Sequence, residues 1–196
     1  MTKYLALSDD EVVAVTAGAL ASGEPVIVPT DTVYGLAALP SSATAIDRLF
    51  HLKDRPPTVP IAMLVGSVEQ AESLFEPSDV ARRLGRVFWP GPLTIVMTRL
   101  GSDGTVGVRY PDHEFIQALT ERTGPLSVTS ANRHGEPTPS TARAAAAALV
   151  GPVAVVVDGG PCDGQPSTVV DVTHPDLVII REGSITEEQI RAVALR

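Results

Sequence analysis

The sequence holds 196 residues, 44% apolar and 19% charged, enough to bury the core of one domain spanning 1–196. A net charge of −8 disfavours a protein that coats nucleic acid, and with it direct tRNA binding, because such binding needs a basic face. Cys162 stands alone, which excludes an intramolecular disulfide and a thiolate metal cluster, and no apolar run is long enough to span a bilayer.

The N-terminus, MTKYLALSDDEVV, lacks an apolar signal core, so a soluble cytoplasmic protein is expected. Ser8 and Glu11 form an S-x-x-E pattern that predicts a capped helix ending near Gly23. PVIVP (25–29) reads as a short buried strand, too β-branched for a helix. Residues 41–52 form an amphipathic helix with Ala45, Leu49 and Leu52 on one face. A Pro-rich loop, DRPPTVP, leads into a strand at Ile61–Val65. Helices follow over 67–75 and 78–88, then strands at Leu93–Thr98 and Thr105–Arg109. Asp112 is a candidate cap for a helix to Arg122, and Leu126–Thr129 is a strand that runs into the turn SANRHGEPTPS. An Ala-rich helix (141–149), three strands (Val153–Val157, Ser167–Asp171, Val178–Arg181) and a Thr186/Gln189 capping box complete the chain. With 4% aromatic residues, the core must be mainly Val, Ile, Leu and Ala. The mixture of hairpin-length and crossover-length connections predicts an α/β domain with a twisted mixed sheet flanked by helices.

Phosphate-loop, dinucleotide-binding and nucleophile-elbow motifs are missing, and the four His residues (51, 113, 134, 174) lack metal-ligand spacing. What remains is a set of polar turns at strand ends. Lys53 and Arg55 precede two prolines that stiffen their loop, a presentation suited to phosphate as well as to plain solvation. The turns at Thr30–Asp31–Thr32 and Ser130–Ala131–Asn132 fit local backbone bonding as well as ligand binding. Arg109 and Arg181 fall at sheet ends, where surface ion pairs would explain them equally well.

Taken in order, PTDTVYGL, KDRP, WPGPLTIVM, VGVRYPDH, SAN, DGGPCDGQPSTVVD and IIREGSI resemble the YrdC family of threonylcarbamoyl-AMP synthases, from about Gly23 to Ile185. The resemblance implies a positively charged cavity and a K-x-R…S-x-N site, with Lys53 and Arg55 catalytic. It matches Thr30, Arg109, Ser130 and Ser167 to L-threonine binding. It matches Lys53, Arg55, Pro57, Thr105, Asn132, Ser140 and Arg181 to ATP binding. Two departures stand out: Leu64 occupies a position where many members carry His, and His134 replaces a common Ser.

The implied activity joins L-threonine, bicarbonate or CO₂, and ATP into threonylcarbamoyl-AMP and pyrophosphate, for the t6A37 modification of tRNA. Mg²⁺ would arrive with ATP, no metal would be held by side chains alone, and a threonylcarbamoyl-transferase complex would accept the product. Longer members carry a further C-terminal domain expected to help cover the site. With the sequence ending at Arg196, a more open cavity shielded by its own loops is expected. The rival readings are an RNA-binding module and a carbamoyl-adenylate-forming domain of the O-carbamoyltransferase type.

Overall fold

The computed structural model describes residues 1–162 and 164–195. In chain order the elements are β1 (Lys3–Ala6), α1 (Val12–Ala21), β2 (Val26–Val28), β3 (Gly35–Ala38), α2 (Ala43–Leu52), β4 (Ala62–Leu64), α3 (Val68–Glu72), β5 (Phe75–Glu76), α4 (Asp79–Phe88), β6 (Leu93–Arg99), β7 (Thr105–Arg109), α5 (Glu114–Thr123), β8 (Leu126–Ser130), α6 (Ala142–Ala148), β9 (Val155–Asp158), β10 (Thr168–Asp171), β11 (Val178–Arg181) and α7 (Glu187–Ala194). The strands form one sheet in the order β1-β9-β2-β3-β8-β4-β7-β6-β10-β11, with β5 added beside β6. β1–β9, β9–β2, β4–β7 and β6–β10 are parallel, and the other pairs are antiparallel. The fold class is therefore the mixed α/β sheet that the pattern of elements predicts. Among the described residues no helix is long and apolar enough to cross a membrane.

Two expectations about local structure need correction, and three strands lie outside the sequence reading. Ser8 and Glu11 do not form a capping box. Glu11 is the N-cap without a side-chain bond, and the Asp9 carboxylate instead accepts from Ala6 N at 2.8 Å, closing the turn after β1. Asp112 caps nothing, because the helix begins one residue later behind His113, which has no side-chain cap bond either. Strands β1, β3 and β5 have no counterpart in the sequence reading. They are strands through pairing rather than local propensity: β1 with β9, β5 with β6, and β3 between its neighbour β2 and the distant β8. By contrast the Thr186/Gln189 box forms in full: Gln189 N donates to Thr186 Oγ1 at 3.3 Å and Thr186 N to Gln189 Oε1 at 2.9 Å.

Strand alternation divides the sheet between core and cavity. In β6, Leu93, Ile95 and Met97 enter a core with Ala81 and Leu84 of α4 and Ile190 of α7, while Thr94 and Val96 point the other way. In β7, Val108 joins that core and Thr105, Gly107 and Arg109 face the cavity. In β10 the core residue is Val170 and the cavity residues are Val169 and Asp171. Helices α1 and α5 bury a second core, and α2 and α6 a third. The floor of the cavity stays low because Gly35 and Gly107 lack side chains. A Cβ on Gly35 would fall 2.6 Å from Val128 Cγ1.

Candidate active site

The spacing of Lys53 and Arg55 follows from how α2 ends. Asp54 N donates to His51 O and Arg55 N to Phe50 O, each at 3.0 Å, with Asp54 left-handed at φ 49°. These are the paired bonds of a Schellman cap, a motif that usually places Gly in the left-handed position. The cap turns Lys53 inward and sends Arg55 out over the sheet. Lys53 is 1% exposed, and its ammonium donates to Ser130 O at 2.5 Å and to Asn132 O. Burial, with help from the Arg55 charge, pulls its pKa down to about 8. Lys53 does not line the cavity, and its ammonium ties down the S-x-N turn. Arg55 does line the cavity. One nitrogen, Nη2, donates to Pro60 O at 2.8 Å, while Nε is buried without a partner.

Arg109 ends β7 in the middle of a network. Its Nε donates to Gly91 O at 3.0 Å, Nη1 to Thr32 Oγ1 at 2.8 Å and Nη2 to Asp31 Oδ1 at 2.5 Å. Burial lowers its pKa and the Asp31 charge opposes that shift, so the guanidinium stays charged. Thr30 Oγ1 donates to Val33 O at 2.7 Å, so the 3.1 Å bond between the two Thr hydroxyls must run from Thr32 to Thr30. A directional chain results, from Arg109 through Thr32 and Thr30 to Val33 O, with each bond polarising the next. Thr30 thus bonds its own turn and also lines the cavity.

A second network stands at the start of β10. Ser167 Oγ and Thr94 Oγ1 lie 2.8 Å apart, both buried. Arg181 donates to Ser167 O from Nε (3.1 Å) and Nη2 (2.8 Å), and Nη2 also reaches Ser167 Oγ at 3.2 Å. Burial lowers the Arg181 pKa first, and repulsion from Arg109 adds to it. Two guanidinium groups are thus held where they feel each other, an arrangement that an anion between them would relieve.

Three more expected positions sit off the cavity wall. Asn132 is buried, with Nδ2 donating to Arg133 O (2.8 Å) and Glu136 O (2.7 Å) while Oδ1 finds no partner. It shapes the turn, together with Lys53 and the Ala131 N–Tyr34 O bond of 2.8 Å. Pro57 and Ser140 are exposed and do not line the cavity. His134 contributes backbone only, its N donating to Lys53 O at 2.9 Å. Leu64 is buried and lines the wall beside Arg109, its register partner.

The cavity, of about 460 Å³, brings together Thr30, Arg55, Thr105, Arg109, Ser130, Ser167 and Arg181 of the expected set. Thr32, Thr94 and Asp171 also line it, and Asp31 lies behind Arg109. Asp31 and Thr32 stood within a recognised motif without a role. No local signal marks Thr94, whose partner is 73 residues away.

Fold and wall together define an α/β protein with an arginine- and hydroxyl-lined cavity on one face of a mixed sheet. The Sua5/YciO/YrdC family model, described as "Telomere recombination", matches residues 18–183. A Mycobacterium tuberculosis protein provisionally named threonylcarbamoyl-AMP synthase is 38% identical over 186 residues, covering 90% of this chain and 86% of that protein. Bacillus subtilis threonylcarbamoyl-AMP synthase is 36% identical over 95% of this chain, which spans 57% of the Bacillus protein. The Pyrococcus abyssi Sua5 structure complexed with L-threonine superposes with a TM-score of 0.89 at 35% identity, over 98% of this chain and 60% of that one. The chain belongs to the Sua5/YciO/YrdC family.

Proposed function

We propose that this cavity converts L-threonine, bicarbonate or CO₂, and MgATP into threonylcarbamoyl-AMP and pyrophosphate, making the chain a nucleotidyltransferase that serves t6A37 formation on tRNA. The observation that carries the reading is the convergence of Arg55, Arg109 and Arg181 with seven Ser and Thr residues on one cavity wall. The substrates bring a carboxylate, a carbamate and a triphosphate, whose mutual repulsion has to be offset by fixed cations and donors. The wall supplies them already oriented, in a cavity of the size usual for small-molecule sites. The relatives named as synthases, and the one described with L-threonine, support the same substrates here.

In the first step the neutral threonine amine attacks the carbon of CO₂, releasing a proton, or of bicarbonate, releasing water, to give a carbamate. A carbamate oxygen then attacks the α-phosphorus of ATP, forming an O–P bond as the bond to the β-phosphate oxygen breaks. We assign the threonine carboxylate to the Arg109–Thr32–Thr30 network, with Ser130 and Ser167 beside it. Arg55, Arg181 and Thr105 take the nucleotide, with Arg55 facing the charge that develops in the transition state. Lys53 and Asn132 act by shaping the Ser130–Asn132 turn. Asp171 lines the cavity with its Oδ1 accepting from Thr173 N (2.9 Å) and Oγ1 (2.6 Å), and no role in proton transfer is assigned to it. Catalysis by positioning, as in other phosphoryl transfers, fits that arrangement. Mg²⁺ would arrive with ATP and take its ligands chiefly from phosphate oxygens and water. The product is an activated mixed anhydride that a threonylcarbamoyl-transferase would consume. Pyrophosphate release from ATP tests the reading. It should need both threonine and bicarbonate, whereas release driven by carbamoyl phosphate would favour carbamoyl-adenylate chemistry.

A further inference from the structure

We infer that Asp31 is a positioning residue, which holds the Arg109 guanidinium in the orientation that offers its unused N–H groups to a substrate carboxylate. The inference rests on the threonine reading above.

A guanidinium has five N–H donors. Three are spent within the protein, on Gly91 O, Thr32 Oγ1 and Asp31 Oδ1, leaving one on each Nη. Three anchors in different directions fix the plane of the group, so the two remaining donors are fixed as well. Asp31 does this from behind. It lines a neighbouring depression with Pro90, Gly91 and Asp112, and it does not line the substrate cavity, whereas Thr32 borders both. Its contact with Arg109 is shielded, the two side chains being 13% and 7% exposed. Asp31 therefore reaches the substrate only through Arg109.

Charge and geometry pull in opposite directions here, and that makes the inference testable by sign. As a charge, Asp31 cancels much of the Arg109 field, so removing it should tighten the binding of any anion. As an anchor, its removal frees the guanidinium to swing, and binding of a planar carboxylate should weaken. Losing a hydrogen bond to a charged group costs roughly ten- to a hundredfold in affinity.

The test is calorimetric titration of the full chain with L-threonine and, separately, with ATP. Asp31→Ala should weaken threonine binding roughly ten- to a hundredfold and leave ATP binding within about twofold. Asp31→Asn, which keeps an oxygen acceptor without the charge, should recover most of the loss. If Asp31→Ala does not fold, Asp31→Ser decides: its shorter side chain gives up the bond to Arg109 Nη2 and should weaken threonine binding selectively. Unchanged or tighter threonine binding in the deciding variant, equal loss for both substrates, or an Asn variant no better than the Ala variant would each overturn the inference. A wild-type chain that binds ATP but no threonine would bring down the threonine reading itself, and this inference with it.

Discussion

Lys53 gives the sharpest quantitative consequence, because its burial couples stability to pH in a calculable way. The perturbation is Lys53→Met, which keeps an unbranched apolar stem and removes the amine. The ordinary lysine value is 10.5 and the folded value about 8. The folded state therefore releases the proton first, and between these values the unfolded chain binds more protons than the folded one. Stability conferred by this group is fully present above pH 10.5 and is lost as pH falls through 8. Integrating that difference gives a wild-type gain, relative to the Met variant, of roughly 1 kcal/mol between pH 7 and pH 9. The two hydrogen bonds survive this titration, since a neutral amine still has two N–H groups for Ser130 O and Asn132 O. Urea denaturation of both proteins at pH 7, 8 and 9 measures the gain directly. A stability difference that stays flat across this range would show that the ammonium is solvated, and the burial of Lys53 would be wrong.

Two other substitutions probe the same loop. Arg55→Ala should lower the rate of pyrophosphate release by roughly two orders of magnitude, as one lost electrostatic donor does, with little change in melting temperature. Equal losses of rate and stability would place Arg55 in the scaffold instead. Asp54→Gly should stabilise the protein by about 0.5–1 kcal/mol in chemical denaturation, because φ 49° strains any residue with a Cβ. A destabilised Gly variant would show that Asp54 makes a compensating contact.

Much of this fold was legible in the chain because burial on one face leaves a period-two or helical trace. Ala43–Leu52 carries such a trace and Leu93–Arg99 a mostly apolar run, and both fall within a residue or two of where the sequence puts them. Strand β3 carries none. Its residues, Gly-Leu-Ala-Ala, have weak β propensity, and they are a strand only because β2 and β8 flank them. In β1, Leu5 alone is buried, which is too little to register as alternation. The site divides in the same way. Motif order singled out Arg55, Arg109, Ser130, Ser167 and Arg181, and the sheet brings them to one cavity. Motif order cannot say which way a side chain turns. The inward aim of Lys53 is set by the cap geometry of α2, and the pairing of Asp31 with Arg109 joins residues 78 apart. Thr94 owes its place to a parallel register, Thr94 opposite Val169, that no local pattern encodes.

The activity itself is tested most directly by identifying the product. The chain would be incubated with MgATP, L-threonine and ¹³C-bicarbonate, and the nucleotide fraction resolved by mass spectrometry. The expected result is an adenylate containing threonine and one labelled carbon, formed in step with pyrophosphate and absent when threonine is left out. An adenylate that forms without threonine, or ATP hydrolysis to ADP with no labelled nucleotide, would contradict the proposed reaction.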